Sequence, residues 1–266
     1  MNLLDKRIKE VLGKGEKLLS CLLPLGDPNL KTSRKLVEVY MKAGVDIIEL
    51  GMPSVDPYCD SVFIADSNRR SLNNQPKLEK YFETIKAIRK DHPHEPFEVM
   101  AYSDTLLSYG AQRFIDSLNE AGINAHLLAD STAIYPKLVP EVDKHLIKYP
   151  IHRIRFMPHP FQEKLLEDIG KNAQAFMILQ SHADPQGKRE KVAAVNRELI
   201  AKLRATKTRA AILLAYGINN GKRAKEAVKL EPDGVLVGSV MVTTINSGNF
   251  TALADLIKEI KAGTFG

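Results

Sequence analysis

The chain has 266 residues, which suits either one large α/β barrel or two ordinary domains. Its 44% hydrophobic and 26% charged content is typical of a folded globular protein and excludes a disordered chain. The formal net charge of +6 comes from basic residues that are spread along the chain and mixed with acids, which disfavours nucleic-acid binding. No apolar run could span a bilayer, and the polar start MNLLDKRIKE does not resemble a secretory signal, so we expect no membrane association. Cys21 and Cys59 lack metal-ligand spacing, which favours a reduced, cytoplasmic setting.

Short apolar runs rich in β-branched residues recur along the chain, and helix-like stretches separate them. The predicted strands are Leu18–Pro24, Val45–Gly51, Phe97–Tyr102, Ile123–Asp130, Ile151–Met157, Ala175–Gln180, Ala210–Ala215 and Gly234–Gly238. The clearest predicted helices are one opening near Thr32 and the stretches Gln112–Ala121, Lys188–Ala205, Gly221–Leu230 and Thr251–Lys261.

Alternation of strands and helices over units of this size predicts βαβ crossovers and a parallel sheet. Parallel strands are covered on both faces, which accounts for continuous apolar runs such as VDIIEL and GVLVG. Eight units fit a closed (β/α)8 TIM barrel, and a doubly wound open sheet is the alternative. No linker rich in Gly, Ser or Pro divides the chain, so we expect residues 1–266 to form one barrel domain.

Two acids lie near the end of the second predicted strand and in the loop after it, at the end where β/α barrels carry their active sites. Glu49 lies inside an apolar run, where burial raises the pKa of a carboxyl group and suits it to proton transfer near neutral pH. Asp60 follows in the loop MPSVDPYCDSV, so both carboxyl groups could flank one substrate. The alternatives are an ion-paired acid for Glu49 and a turn or helix cap for Asp60. Tyr102 and Asp130 end the third and fourth strands, where each could orient a substrate or bond its neighbouring loop.

Glycines end the last two predicted strands. Gly217 follows strand seven in AYGINNG, and Gly238 with Ser239 follows strand eight in VLVGSV. Barrel phosphate sites are frequently built from these two loops and a short helix N-terminus, whose backbone N–H groups approach the phosphate oxygens. The pattern therefore predicts a phosphate site, with simple turn glycines as the alternative.

A possible metal-ligand group, His92, His94 and Glu95, precedes the third strand and would lie at the opposite end of the barrel. We interpret it as a surface loop and predict no metal site there. His126 lies within the fourth strand, where an interior or helix-facing histidine is the expected reading.

Taken together, these residues resemble the α subunit of tryptophan synthase. The strongest part of the match is DIIELGMPSVDPYCDS, which resembles the family segment with a catalytic Glu, a Gly-x-Pro and an Asp-Pro-x-x-Asp. LGDP, VMAYSDTLLSYG, LLADS, YGINN and VGSV fit in the same order along most of the chain. The resemblance implies a TIM barrel.

The resemblance also implies a reaction: retro-aldol cleavage of indole-3-glycerol phosphate into indole and glyceraldehyde 3-phosphate, without metal or organic cofactor. Glu49 would be the general acid/base, and Asp60 would stabilise the charge that develops on the indole nitrogen. Residues expected along the substrate are Tyr102, Asp130, Leu22, Ile178 and Tyr216. Residues expected around the phosphate are Gly187, Gly217, Gly238 and Ser239.

The chain departs from the family pattern at the end of the substrate away from the phosphate. Ser61 stands where the family has glycine, and Ile178 and Leu22 stand where aromatic residues are expected. The loop after strand six reads SHADPQG instead of a Ser-x-x-Gly-x-Thr-Gly pattern. These changes leave two alternatives open: a relative that acts on another phosphorylated substrate, and a weakly active subunit that activates a β partner. LLADSTA lacks a proline often used where the β subunit docks, whereas Asp56 and Pro57 of that surface are present.

Overall fold

The computed structural model describes residues 2–58, 60–131, 138–158, 163–181, 189–215 and 217–265. Its strands form one closed parallel barrel in the order β1 to β8, and β8 pairs with β1. This confirms the predicted (β/α)8 barrel and excludes the open sheet. The strands are β1 Leu18–Pro24, β2 Ile47–Gly51, β3 Phe97–Ala101, β4 Ala125–Leu128, β5 His152–Met157, β6 Phe176–Gln180, β7 Ala211–Ala215 and β8 Gly234–Val237.

Helix α1 precedes the first strand, and the other helices follow the strands and cover the outside of the barrel. Before β2 these are α1 Leu3–Gly13 and α2 Leu30–Ala43, and between β2 and β4 they are α3 Val62–Asn74, α4 Leu78–Asp91, α5 Ser103–Tyr109 and α6 Ala111–Glu120. After β4 the described part of the chain adds α7 Leu138–Leu146, α8 Glu163–Asn172, α9 Arg189–Ala205, α10 Gly221–Val228, α11 Ser239–Asn246 and α12 Phe250–Gly263. No helix in the described ranges is long and apolar enough to cross a bilayer.

The strands β2 and β4 begin two residues later than their apolar runs predict, and both for the same reason. The run Val45–Gly51 becomes a strand only at Ile47, because the Val45 N–H donates to the Tyr40 carbonyl and finishes helix α2 behind Gly44. Likewise, the run that starts at Ile123 becomes a strand at Ala125, because the Ile123 N–H donates to Leu118. Such bonds close the last turn of a helix around a residue of positive φ. Val45 and Ile123 are therefore the apolar residues that complete helices α2 and α6, and they do not belong to the sheet.

Side chains alternate between the barrel interior and the layer of outer helices. On β2, Ile47 belongs to the interior cluster, whereas Ile48 and Leu50 belong to the cluster under the helices. On β3, Met100 is interior and Val99 is outer. Because successive side chains of a strand point to opposite faces, Glu49 and Glu98 are also directed into the barrel.

Helix α1 covers the amino end of the barrel. The Asn2 amide donates at 2.9 Å to the carbonyls of Asn124 and Pro150, which precede β4 and β5. Leu4 packs fully buried into the interior cluster. In the described residues, helix α1 therefore fills the amino end of the barrel.

Candidate active site

A cavity of about 400 Å³ opens at the carboxyl ends of the strands. Glu49, Asp60 and Ser239 line it together with Gly217 and Gly238. Its wall is mostly apolar, and the side chains that form it are Leu22, Phe63, Ile64, Met100, Leu127, Ala129, Phe156, Ile178, Ala215, Ile218, Leu236, Val240 and Thr243, with Asn219 at the rim. Predicted acidic, apolar and phosphate-end residues thus meet in one cavity.

Glu49 is the acid at the floor of this cavity. Glu49 is 2% exposed, and its Oε2 atom has no hydrogen-bond partner among the described residues. Burial, reinforced by the neighbouring charge of Asp60, raises the pKa of Glu49 to about 8. A carboxyl group in this setting carries its proton at neutral pH and can donate it to a bound molecule.

Asp60 lies in the loop between β2 and α3 and faces the same cavity. Burial raises the pKa of Asp60 to about 6, so its carboxyl group ionises before that of Glu49. The Tyr102 hydroxyl donates a hydrogen bond to Asp60 Oδ2. Tyr102 is fully buried and lies behind Asp60 without lining the cavity, so its visible role is to position that carboxylate.

Asp130 is occupied away from the cavity. Its carboxylate accepts hydrogen bonds from the Ser103 N–H at 3.0 and 3.1 Å and from the Ser103 hydroxyl at 2.8 Å. The structure therefore places Asp130 at the N-terminus of α5, where a carboxylate satisfies a free N–H group. Of the two readings that the sequence left open for Asp130, the loop contact is the one present, and Asp130 does not line the described cavity.

The glycines after β7 and β8 lie at the other side of the cavity. Gly217 has φ +76°, a left-handed conformation that glycine adopts without strain. Gly238 caps helix α11, and Ser239 is its first residue. The Ser239 hydroxyl lies 2.8 Å from the Ser61 hydroxyl, so Ser61 extends the hydroxyl-bearing edge of the cavity. A helix N-terminus with hydroxyl groups beside it is suited to an anion.

Some predicted residues have other positions or cannot be placed. Gly187 and Tyr216 lie outside the described residues. Glu95 pairs with Arg7 of helix α1 at 2.8 Å, at the amino end of the barrel as predicted. His126 faces the outer layer, where its Nδ1 lies 2.9 Å from the Val99 carbonyl and its ring packs on Phe114. In the described ranges, no three His, Cys, Asp or Glu side chains are arranged to hold a metal ion.

The sequence interpretation missed Glu98, which is the inward neighbour of Glu49 on β3. Glu98 is 0% exposed, and neither of its carboxyl oxygens has a hydrogen-bond partner in the described part of the chain. Burial, reinforced by the charge of Glu49, raises its pKa well above the ordinary value. The signal was present in the sequence, because counting back in steps of two from Tyr102 passes through Met100 to Glu98.

Fold and cavity together define a β/α-barrel protein with acids and a helix N-terminus at the carboxyl ends of its strands, where enzymes of this architecture carry their active sites. The sequence model of the family described as "Tryptophan synthase alpha chain" matches residues 8–263. This chain therefore belongs to the tryptophan synthase alpha chain family, an enzyme family of tryptophan biosynthesis.

Individual relatives agree with this assignment over nearly the whole chain. A tryptophan synthase alpha chain from Helicobacter pylori is 30% identical over 257 residues, which cover 95% of this chain and 96% of that protein. Another from Methanosarcina mazei is 28% identical over 262 residues, covering 98% and 93% of the two chains. The crystal structure of tryptophan synthase subunit alpha from Legionella pneumophila superposes with a TM-score of 0.87 at 20% identity, over 100% of this chain and 99% of that chain. This last similarity concerns the fold.

Proposed function

We propose that this protein is a carbon–carbon lyase that cleaves indole-3-glycerol phosphate to indole and glyceraldehyde 3-phosphate. The observation that carries the proposal is the joint position of Glu49, Asp60 and Ser239 on one cavity. Two carboxyl groups of different proton affinity lie on one side, and a helix N-terminus suited to phosphate lies on the other. We also propose that residues 1–266 act as one domain, since all eight strands close a single barrel.

In the proposed reaction, Glu49 would take part in two proton transfers, first as a donor and then as an acceptor. Its carboxyl group would first give a proton to the indole carbon that bears the glycerol chain. The resulting carboxylate would then take the proton of the hydroxyl group on the adjacent chain carbon while the carbon–carbon bond breaks. The bond electrons return to the indole ring, the hydroxyl carbon becomes an aldehyde, and Glu49 ends protonated as it began.

The remaining groups would hold the substrate and stabilise charge. The Asp60 carboxylate would accept a hydrogen bond from the indole N–H group. The positive charge on this nitrogen grows when the ring carbon is protonated, and the carboxylate would stabilise it. The apolar side chains of Leu22, Met100, Phe156 and Ile178 would enclose the ring. The phosphate would lie at Gly217, Gly238 and Ser239, and the N-terminus of α11 would favour its charge.

One assay tests the activity directly. The purified protein is incubated with indole-3-glycerol phosphate, and indole is measured with and without a tryptophan synthase β subunit. We expect indole in both mixtures. If inorganic phosphate binds but neither mixture yields indole, the proposed substrate is wrong and another phosphorylated substrate is favoured. Indole formation that depends wholly on the β subunit would instead favour the weakly active, partner-activating role.

We further propose a tryptophan synthase β subunit as partner. The loop after β2, which contains Asp56 and Pro57, exposes Val55 at 80% and Tyr58 at 41% of their surfaces, and exposed apolar side chains beside an active site are suited to a protein contact. Size-exclusion chromatography of the mixed subunits should give a complex, and a Val55→Asp, Tyr58→Asp double variant should weaken it. Two separate peaks for the unmodified proteins would contradict this partner.

A further inference from the structure

Glu98 and Glu49 are direct neighbours across two strands of the barrel. Their Cα atoms are register partners of the parallel pair β2–β3, so the two backbones are about 4.8 Å apart at this level. Both side chains point inward, as the cluster membership of Ile47 and Met100 shows for alternate positions on these strands. Glu49 reaches the cavity, whereas Glu98 does not line it and lies wholly buried beneath its floor.

No cation in the described part of the chain balances this pair. The inward positions of the flanking strands carry Ser20 and Leu22 on β1 and Ala125 and Leu127 on β4. On the carboxyl side of the pair the ionisable groups are Asp60 and Tyr102, which bond to each other.

At the amino end of the barrel, helix α1 contributes Asp5, whose carboxylate pairs with His152 of β5 at 2.9 Å. On the outer face of the sheet, His126 bonds the Val99 carbonyl, and Lys261 is paired with Asp46 at 2.6 Å. Among the described residues, the three basic groups His152, His126 and Lys261 are therefore each engaged with a partner other than this pair.

Two buried carboxyl groups side by side without a counter-ion cannot both ionise at moderate pH. An isolated buried carboxylate has a high desolvation cost, and a second negative charge beside it adds repulsion. Of the two, Glu49 borders the cavity, so the first negative charge of the pair falls on Glu49. Burial and the charge of Glu49 both raise the pKa of Glu98, which keeps its proton while Glu49 titrates.

In the structure no hydrogen bond joins the neighbouring carboxyl groups of Glu98 and Glu49. We propose that Glu98 is a positioning residue, a permanently protonated carboxylic acid whose O–H group turns toward Glu49 and stabilises its carboxylate each time Glu49 has released its proton. This inference rests on the proposed function, in which Glu49 gives its proton to the indole carbon and later recovers one from the substrate hydroxyl. Glu98 has no net gain or loss of a proton over the reaction cycle. Its O–H group lowers the free energy of the Glu49 carboxylate that forms between the two proton transfers.

The first test measures the pKa of Glu49 without substrate, by carbon-13 NMR of protein labelled at the glutamate carboxyl carbons. Glu49→Gln and Glu98→Gln spectra assign the two resonances. E98Q keeps the shape and a hydrogen-bond donor but cannot ionise, so the pKa of Glu49 should stay within about half a unit of its value in the unmodified protein. E98M has similar length and no donor, so the pKa of Glu49 should rise by about one unit or more. Glu95→Gln, two residues before the start of the same strand, is the matched control and should shift neither resonance.

Two results would overturn the proposal. A fall of one unit or more in the Glu49 pKa of E98Q would mean that Glu98 carries a negative charge in the unmodified protein. An unchanged or lowered pKa of Glu49 in E98M would mean that Glu98 does not reach Glu49. If E98M does not fold, the E98Q titration still decides between a neutral and a charged Glu98.

Turnover of indole-3-glycerol phosphate separates this inference from the proposed function. We expect E98M to lose at least about tenfold in kcat with little change in KM. A rise of one unit in the pKa of Glu49 makes its carboxylate about tenfold harder to form. E98Q should recover most of that loss. If the pKa of Glu49 moves as expected and kcat in E98M does not change, the pairing stands and Glu49 is not the catalytic acid, which would contradict the proposed function.

Discussion

Carboxyl groups around the cavity differ in proton affinity because their surroundings differ. Asp60 accepts a hydrogen bond from Tyr102 and lies in a loop, and its pKa rises only to about 6. Glu49 lies at the cavity floor beside that acid, and its pKa rises to about 8. Neighbouring acids whose pKa values are separated in this way can divide the roles of base and acid at one pH.

Replacing the Glu49 carboxyl group should stop the chemistry and spare binding. In Glu49→Gln we expect kcat to fall by about 10² to 10⁴-fold, the usual contribution of a placed acid or base. Calorimetric titration with indole-3-glycerol phosphate should show binding within a few-fold of the unmodified protein, because the phosphate end is unchanged. Glu38→Gln, an exposed acid of helix α2, is the control and should behave as the unmodified protein does. Unchanged turnover in Glu49→Gln would remove Glu49 from the proposed role.

The pH dependence of kcat/KM should follow the same two acids. Below about pH 6 Asp60 becomes protonated and loses the charge that would face the indole nitrogen, so activity should fall toward acid. Above about pH 8 Glu49 loses the proton that it would donate, so activity should fall toward alkali. A bell-shaped profile is therefore expected from steady-state rates between pH 5 and about 9.5. In Asp60→Asn, kcat/KM should be lower at its maximum and should no longer fall toward acid pH. An unaltered fall toward acid pH would show that another group titrates there.

Single residues show where sequence interpretation reaches its limit. Glu49 and Asp60 could be placed on the cavity because strand ends are readable as apolar runs that stop. The partner of Asp130 could not be read, since its contact with Ser103 depends on how two loops fold against each other. Glu98 was overlooked because an acid in mid-strand looks unremarkable until the inward face of that strand is known.

At the scale of elements, helix α11 is the part most directly tied to phosphate. Its first residue, Ser239, adds a hydroxyl donor to the backbone N–H groups that the helix start leaves free. Ser239→Ala should raise KM for indole-3-glycerol phosphate by about tenfold, since a hydrogen bond to a charged group is worth about 1.5–3 kcal/mol. The matched control is Ser247→Ala at the other end of the same helix, where the hydroxyl bonds the Thr244 carbonyl. Equal KM values for the two variants would place the phosphate elsewhere.

Element boundaries were largely predictable, and the exceptions depend on caps and packing that the apolar pattern does not show. Predicted strands end within two residues of the observed ones, because a strand buried on both faces forms a continuous apolar run. Helix α12 was predicted as Thr251–Lys261 and runs from Phe250 to Gly263, with its start set by the Asn249 side chain that accepts the Ala252 N–H. Helix α1 was not predicted, since its polar sequence MNLLDKRIKE acquires a buried face only against the closed barrel.

For the molecule as a whole, the buried acids make stability depend on pH. In the unfolded chain Glu49 and Glu98 ionise near the ordinary glutamate value of about 4.3, whereas in the folded protein their pKa values are raised. The folded state therefore binds more protons, and the stabilisation from these groups is complete below the unfolded pKa and is lost as pH rises toward the folded value.

Glu98→Gln should accordingly make the protein less sensitive to alkali. Between pH 5.5 and about 7.5 the free energy of unfolding should fall less steeply with pH in the variant, by about 1.4 kcal/mol per pH unit, the linkage value for one proton. Urea unfolding at several pH values measures this difference, and Glu95→Gln serves again as control. Parallel curves for Glu98→Gln and the unmodified protein would mean that Glu98 does not hold an extra proton in the folded state.

Helix α1 and helix α12 both meet the barrel at its amino end. Asn2 bonds carbonyls that precede β4 and β5, and Lys261 donates to the Lys17 carbonyl just before β1. The cavity opens at the opposite end. A dye, a surface tether or a fused domain attached to exposed positions near either of these contacts would thus face away from the substrate opening. The amino end of the barrel is therefore the suitable place to immobilise or label the protein in an active form.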